Sequence, residues 1–156
     1  MVSAMPDEGP ARAVAASLLE VAPQLIRLLS STLDSRPGLT LRQFRILQQL
    51  YDGVFRARDL ATSTGVTAPT MSAALADLEG RGLIARTSDP VDGRANLVVI
   101  TDSGRAAVRE TRELLLAVLE GVATGVDDAD AESTERLSRI LLRGLSRAQP
   151  GVAARP

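Results

Sequence analysis

From Ala11 to Leu33, apolar residues recur every three to four positions, at Val14, Leu18, Val21, Leu25, Leu28 or Leu29, and Leu33. That spacing puts them on one helical face. Pro23 falls inside the pattern and should kink or split the helix, because proline lacks the backbone N–H and crowds the preceding turn. Ser35 to Gly38 is a break. Thr40 and Gln43 then stand at capping-box spacing and Leu39 and Phe44 at the spacing of a hydrophobic staple. A second helix should therefore start at Thr40 and run to about Asp52, with Phe44, Leu47 and Leu50 or Tyr51 inward. Gly53 ends it, and Val54 to Arg56 read as a very short strand.

The pattern tightens from Ala57 into two short helices around Gly65. Leu60 and Ala61 lie in the first, and Val66, Met71, Ala74, Leu75 and Leu78 form the apolar side of the second, which Thr67 can cap. Gly80 and Gly82 stop that helix. Leu83 to Thr87 reads as a strand and Leu97 to Ile100 as its antiparallel partner. Between them, Ser88 to Asn96 is polar and rich in turn formers, too long for a tight hairpin turn, so a protruding loop is expected. Thr101 can cap a long helix to about Val122, with Val108, Leu114 or Leu115, Val118 and Val122 on its inner face. After a bend at Gly125 to Asp130, a last helix runs to about Arg147, with Leu137, Ile140 or Leu141, and Leu145 inward.

Composition narrows the chemistry. The 156 residues are 45% hydrophobic and 24% charged, an ordinary globular balance, and include no Cys, His or Trp. Disulfides, thiolate metal sites and cysteine redox switches are thereby excluded, as are imidazole bases and histidine-bound metals. The acidic run Asp127, Asp128, Asp130 and Glu132 lacks the Gly turn and distal Glu of a calcium loop, and reads better as a cap complementing a helix dipole. The chain is therefore read as a non-enzyme, with no cofactor and no metal. The stretch Ala13 to Leu29 is interrupted by Glu20, Pro23, Gln24 and Arg27, short of the ~20 apolar residues of a span. The first ten residues carry Asp7 and Glu8 and no base, unlike a secretory signal. A cytoplasmic protein with no membrane partner is expected.

Net charge is −1, which on average disfavours phosphate binding. Placement matters more than the sum. Residues 39–105 hold 8 arginines against 7 acids, with Arg56, Arg58, Arg81, Arg86 and Arg94 around an uncharged helix face. Every basic residue is Arg, the better side chain for planar and groove contacts.

Three constellations bear on function. Ala61, Gly65 and Met71 supply the small residue, the positive-φ turn and the back-facing apolar residue of a helix-turn-helix. Thr67, Ala68, Pro69, Thr70, Ser72, Ala73 and Ala76 then lie on or near its outward N-terminal face, the part that meets base edges. The alternative is two short helices packed in a bundle. Second, a strand, loop and strand directly after a helix-turn-helix make a wing, with Arg94 near its tip suited to a narrow minor groove and Asp92 placed to orient it. The plainer alternative is a solvated turn. Third, the flanking helices must bury apolar faces in something. Isologous dimerisation would match a palindromic operator, whereas an intramolecular bundle would leave the lobe single.

These residues resemble the MarR-type transcriptional regulators. Val66 to Ser72 and Leu78 to Arg86 are similar to that family's recognition helix and first wing strand, and Asp92-Gly93-Arg94-Ala95 before Leu97 to Thr101 and Gly104-Arg105 to its wing signature. The resemblance covers Leu39 to Arg105 by motif. It implies a mainly α fold with a small β wing, a winged helix-turn-helix lobe over 39–105. Helical dimerisation segments at 11–38 and 106–147 would flank it, with flexible ends at 1–10 and 148–156. It further implies a homodimeric DNA-binding protein, often a repressor, released when a small, often aromatic, effector binds between the dimer helices and the lobe. By this match Arg94 enters the minor groove with Asp92 as its partner, Thr67, Thr70 and Ser72 lie in the major groove, and Phe44 and Tyr51 line the effector pocket. The family often has Arg near the position of Ala73. No Arg or Lys falls between Val66 and Leu78 here, which leaves hydroxyls, thymine methyls and DNA shape for discrimination. A winged helix that binds protein rather than DNA is the competing reading.

Overall fold

Pro10 opens the first helix at the position where a missing N–H costs nothing, and α1 runs Pro10–Asp34. The structure, a computed structural model, describes residues 9–51, 53–88 and 96–148. Of the flexible ends expected at 1–10 and 148–156, residues 1–8 and 149–156 lie outside these residues, as do the expected helix end at Asp52 and positions 89–95 with Asp92 and Arg94. The chain divides into two compact units, Met1–Leu41 and Arg42–Pro156.

In the first unit α1 continues through Pro23, where a split or kink was expected. Proline forfeits one backbone bond, and the turns on either side keep theirs. The Gln24 amide adds a side-chain bond to the Glu20 carbonyl at 3.4 Å. Within the expected inner stripe, Val14, Leu25, Leu28 and Leu29 are half-buried. Leu33 is buried, but Leu18 and Val21 are exposed, as are Leu19 and Ile26 beside them. Contrary to the reading of its polar interruptions, α1 is long and apolar enough to cross a membrane by length and composition alone.

The second unit is built on α2 (Leu41–Tyr51), where Phe44, Ile46, Leu47 and Leu50 are buried. Ile46 and Leu47 are adjacent in sequence and both 0% exposed, so this helix is covered over more than one stripe. Of the two candidates at its end, Leu50 goes inward and Tyr51 outward. β1 (Phe55–Arg56) leads straight into α3 (Ala57–Thr64) and α4 (Ala68–Gly80). Leu60, Met71, Leu75 and Leu78 form the core of this helix pair, with Ala61 buried among them. β2 (Ile84–Ser88) and β3 (Asn96–Ile100) follow. The three strands form an antiparallel sheet in the order β1-β3-β2, with Phe55 opposite Val98, Ile84 opposite Ile100 and Ser88 opposite Asn96.

Two turns aim these elements. Gly65, at φ +67, closes α3, with the Val66 N–H bonded to the Ala61 carbonyl at 3.2 Å. Gly82, at φ +69, closes α4: its N–H bonds the Glu79 carbonyl and that of Leu83 the Leu78 carbonyl, both at 2.9 Å. This is a Schellman arrangement, with its apolar pair, Leu78 and Leu83, buried.

Thr101 caps α5 (Asp102–Val122), as expected. Val108 and Leu115 are buried, whereas Val122, expected inward, is 57% exposed. α6 (Asp128–Ala148) shows no buried residue. Of the residues expected inward, Leu137 is half-buried, as is Leu141 of the pair Ile140 or Leu141, whereas Ile140 and Leu145 are exposed together with Leu142. Periodicity gives the stripe on a helix, but not how far each of its residues is covered.

Candidate nucleic-acid interface

The α3–turn–α4 unit presents one end of α4. Thr67 sits at its N-cap in extended conformation, and its hydroxyl accepts from the Thr70 N–H at 3.4 Å. The same hydroxyl lies 2.9 Å from the Thr70 hydroxyl. Thr67 and Thr70, both expected in a major groove, therefore spend part of their hydrogen-bonding capacity on each other and on the helix end. Met71, Leu75 and Leu78 point into the core, which turns Ala68, Pro69, Ser72, Ala73 and Ala76 outward, all exposed. The free chemistry of this face is methyl groups, a proline ring and the Ser72 hydroxyl.

The basic residues around it are mostly paired. Arg86, expected as a DNA contact, holds Glu79 with its Nε 3.0 Å from Oε2. Asp77 accepts from the Gln43 amide at 2.7 Å and lies 3.5 Å from Arg81. Arg58 lies 3.7 Å from Asp59. Neighbouring carboxylates offset these cations, which fits the near-zero charge of the lobe. Asp92 and Arg94, expected in the wing, lie outside the described residues.

The two expected pocket residues are placed differently. Phe44 is 6% exposed and belongs to the core, because the turn of α2 that carries it faces inward. Tyr51 lines a cavity of about 290 Å3 with Gln48, Val108, Arg109 and Arg112. The Arg105 guanidinium lies over the Tyr51 ring, 4.7 Å from its centroid, and its Nη1 donates to the Tyr51 carbonyl at 3.4 Å. The site thus combines an aromatic face with several guanidinium groups, a setting for a planar anion.

Asp127 and Asp130, weighed above as cation ligands, cap α6: the Asp130 N–H bonds the Asp127 carboxylate at 2.8 Å. Among the described residues no three His, Cys, Asp or Glu side chains gather so as to hold a metal ion.

Sequence reasoning missed Glu79 and the Gln43–Asp77 link. Glu79 lies seven residues before Arg86, too far along one helix or one strand for the two side chains to be read as a pair. The two meet because the chain reverses at Gly82.

Residues 38–95 match the MarR family. The chain is 35% identical over 82 residues to the uncharacterized HTH-type transcriptional regulator YxaD of Bacillus subtilis (strain 168). That match covers 51% of this chain and 57% of YxaD, so it spans little more than half of that relative's length. Among solved structures, the transcriptional regulator BldR from Sulfolobus solfataricus superimposes with a TM-score of 0.70 at 26% identity, over 89% of this chain and 99% of BldR. A MarR family protein from Bacillus stearothermophilus shares the fold at a TM-score of 0.74 and 23% identity, over 92% of this chain and 99% of that one. Residues 38–95 thus carry a MarR-family match, and most of the chain shares the fold of the transcriptional regulator BldR.

Proposed function

We propose that the protein is a sequence-specific, double-stranded-DNA-binding transcriptional regulator, a cytoplasmic homodimer acting as a repressor on a palindromic operator. The observation that carries this reading is the outward N-terminal face of α4, uncharged and exposed, beside a strand that leads into the wing loop. α4 enters the major groove with Ser72, Ala73 and the neighbouring residues, and the wing enters the minor groove with Arg94, oriented by Asp92. The large apolar residues left exposed on α1, and separately those on α6, support dimerisation, since exposed apolar surface of this kind suits an interface. On this reading α1 is an interface helix rather than a membrane span.

The cavity beside Tyr51 supports release by a small aromatic acid. Tyr51 offers a stacking face, and Arg109 and Arg112 offer charge to a carboxylate.

A gel-shift titration with the protein's own upstream region at two salt concentrations tests the core of the proposal. Salt-dependent binding that weakens in Arg94→Ala, with fold and oligomeric state unchanged, supports it. Absence of any retention on DNA at low salt would favour a winged-helix module for a protein partner, a reading to which the internally paired arginines lend weight.

A further inference from the structure

Beyond Ile84 the side chains of β2 are exposed, from Ala85 to Ser88. β2 is also an edge strand, with β3 on one side only. Its base is held firmly, because the Thr101 hydroxyl donates to the Gly82 carbonyl and the Thr101 N–H to the Leu83 carbonyl. Farther out, where the strand approaches the wing loop, it gains no buried anchor on the recognition helix. The Glu79–Arg86 ion pair supplies a link there, from the last turn of α4 to the middle of β2.

We propose that Glu79 is a positioning residue of the DNA interface: by holding Arg86 it fixes the angle between the recognition helix and the wing. The inference rests on the DNA-binding reading above. A half-exposed ion pair adds little to stability. Its worth lies in geometry, because helix and wing must enter adjacent grooves at once and a small change in their angle withdraws one of them. Arg86 is then not free to act as an independent phosphate contact.

The sign of one substitution separates this from its rival. Were Glu79 only a carboxylate near DNA, neutralising it would relieve repulsion from the phosphates and tighten binding. Positioning demands the reverse. The full chain is first used to select duplexes from a random library, and the selected pool is the probe at fixed salt. Glu79→Gln is expected to bind it roughly tenfold more weakly, the loss of about one groove contact. In an Arg86→Gln background the same change should cost nothing further, since the partner is gone. Thermal unfolding midpoints should stay close to that of the parent protein, so that the loss is one of alignment and not of folding. Glu79→Gln binding as tightly as the parent, or more tightly, overturns the proposal and leaves Arg86 as a direct contact. A parent protein that selects no duplex overturns the DNA-binding reading itself, and this inference with it.

Discussion

The Thr101 hydroxyl donates to the carbonyl of Gly82 at 2.7 Å and accepts from the N–H of Gly104 at 3.1 Å. One side chain thus caps α5 and ties it to the turn that joins the recognition helix to the wing. Helix, turn and wing base are coupled through this atom. Thr101→Val keeps the shape and removes both bonds. It should destabilise the protein by about 1–2 kcal/mol, read as a lower denaturant midpoint at unchanged slope. A midpoint equal to the parent's would show that the coupling contributes nothing.

Gly104 lies buried under the same turn. A Cβ there would run into the Leu83 carbonyl and stand 2.8 Å from Ile100 Cγ1. The backbone oxygen cannot swing aside, so α5 would have to lift from the wing base. Gly104→Ala should therefore cost about 1–3 kcal/mol despite its gain in helix propensity. At Gly121, in the same helix with open space around it, the same change should be neutral or stabilising. Thermal unfolding of the two variants side by side checks the contrast.

The outward face of α4 carries methyl groups at Ala68, Ala73 and Ala76 and no guanidinium or amide, so thymine methyls are its natural partners in a major groove. Replacing individual thymines of a bound duplex by uracil removes those methyls and leaves the minor groove untouched. Affinity should fall about fourfold for each methyl that is buried against the helix. Uniform affinity across all such substitutions would place sequence discrimination in DNA shape or in the wing.

Ile140, Leu142 and Leu145 stand exposed on α6 within a single chain, at 59, 63 and 58%. A homodimer that covers them should be broken by a buried charge. Leu145→Glu is expected to shift the sedimentation coefficient to that of a monomer at micromolar concentration and to abolish operator binding while α3 and α4 remain folded. A dimer that survives this change would move the interface elsewhere.

What the sequence determined by itself is whatever depends on a few neighbouring residues. Thr67 and Thr101 as caps, Gly65 and Gly82 as turn glycines, the helix-turn-helix between them and the paired strands after it all follow from local chemistry. There a side chain three residues away satisfies a helix end and only glycine takes positive φ cheaply. Tertiary structure decided the rest, because long-range packing chooses among options that local chemistry leaves equal. It sent Leu50 inward and left Tyr51 with Arg105, and it carried α1 past Pro23. It brought Gln43 to Asp77 across 34 residues, and it gave Arg86 to Glu79, a pairing that exists only because the chain turns back at Gly82. The apolar stripes of α1 and α6 were legible as stripes, but which of their residues are covered depends on packing that periodicity does not set.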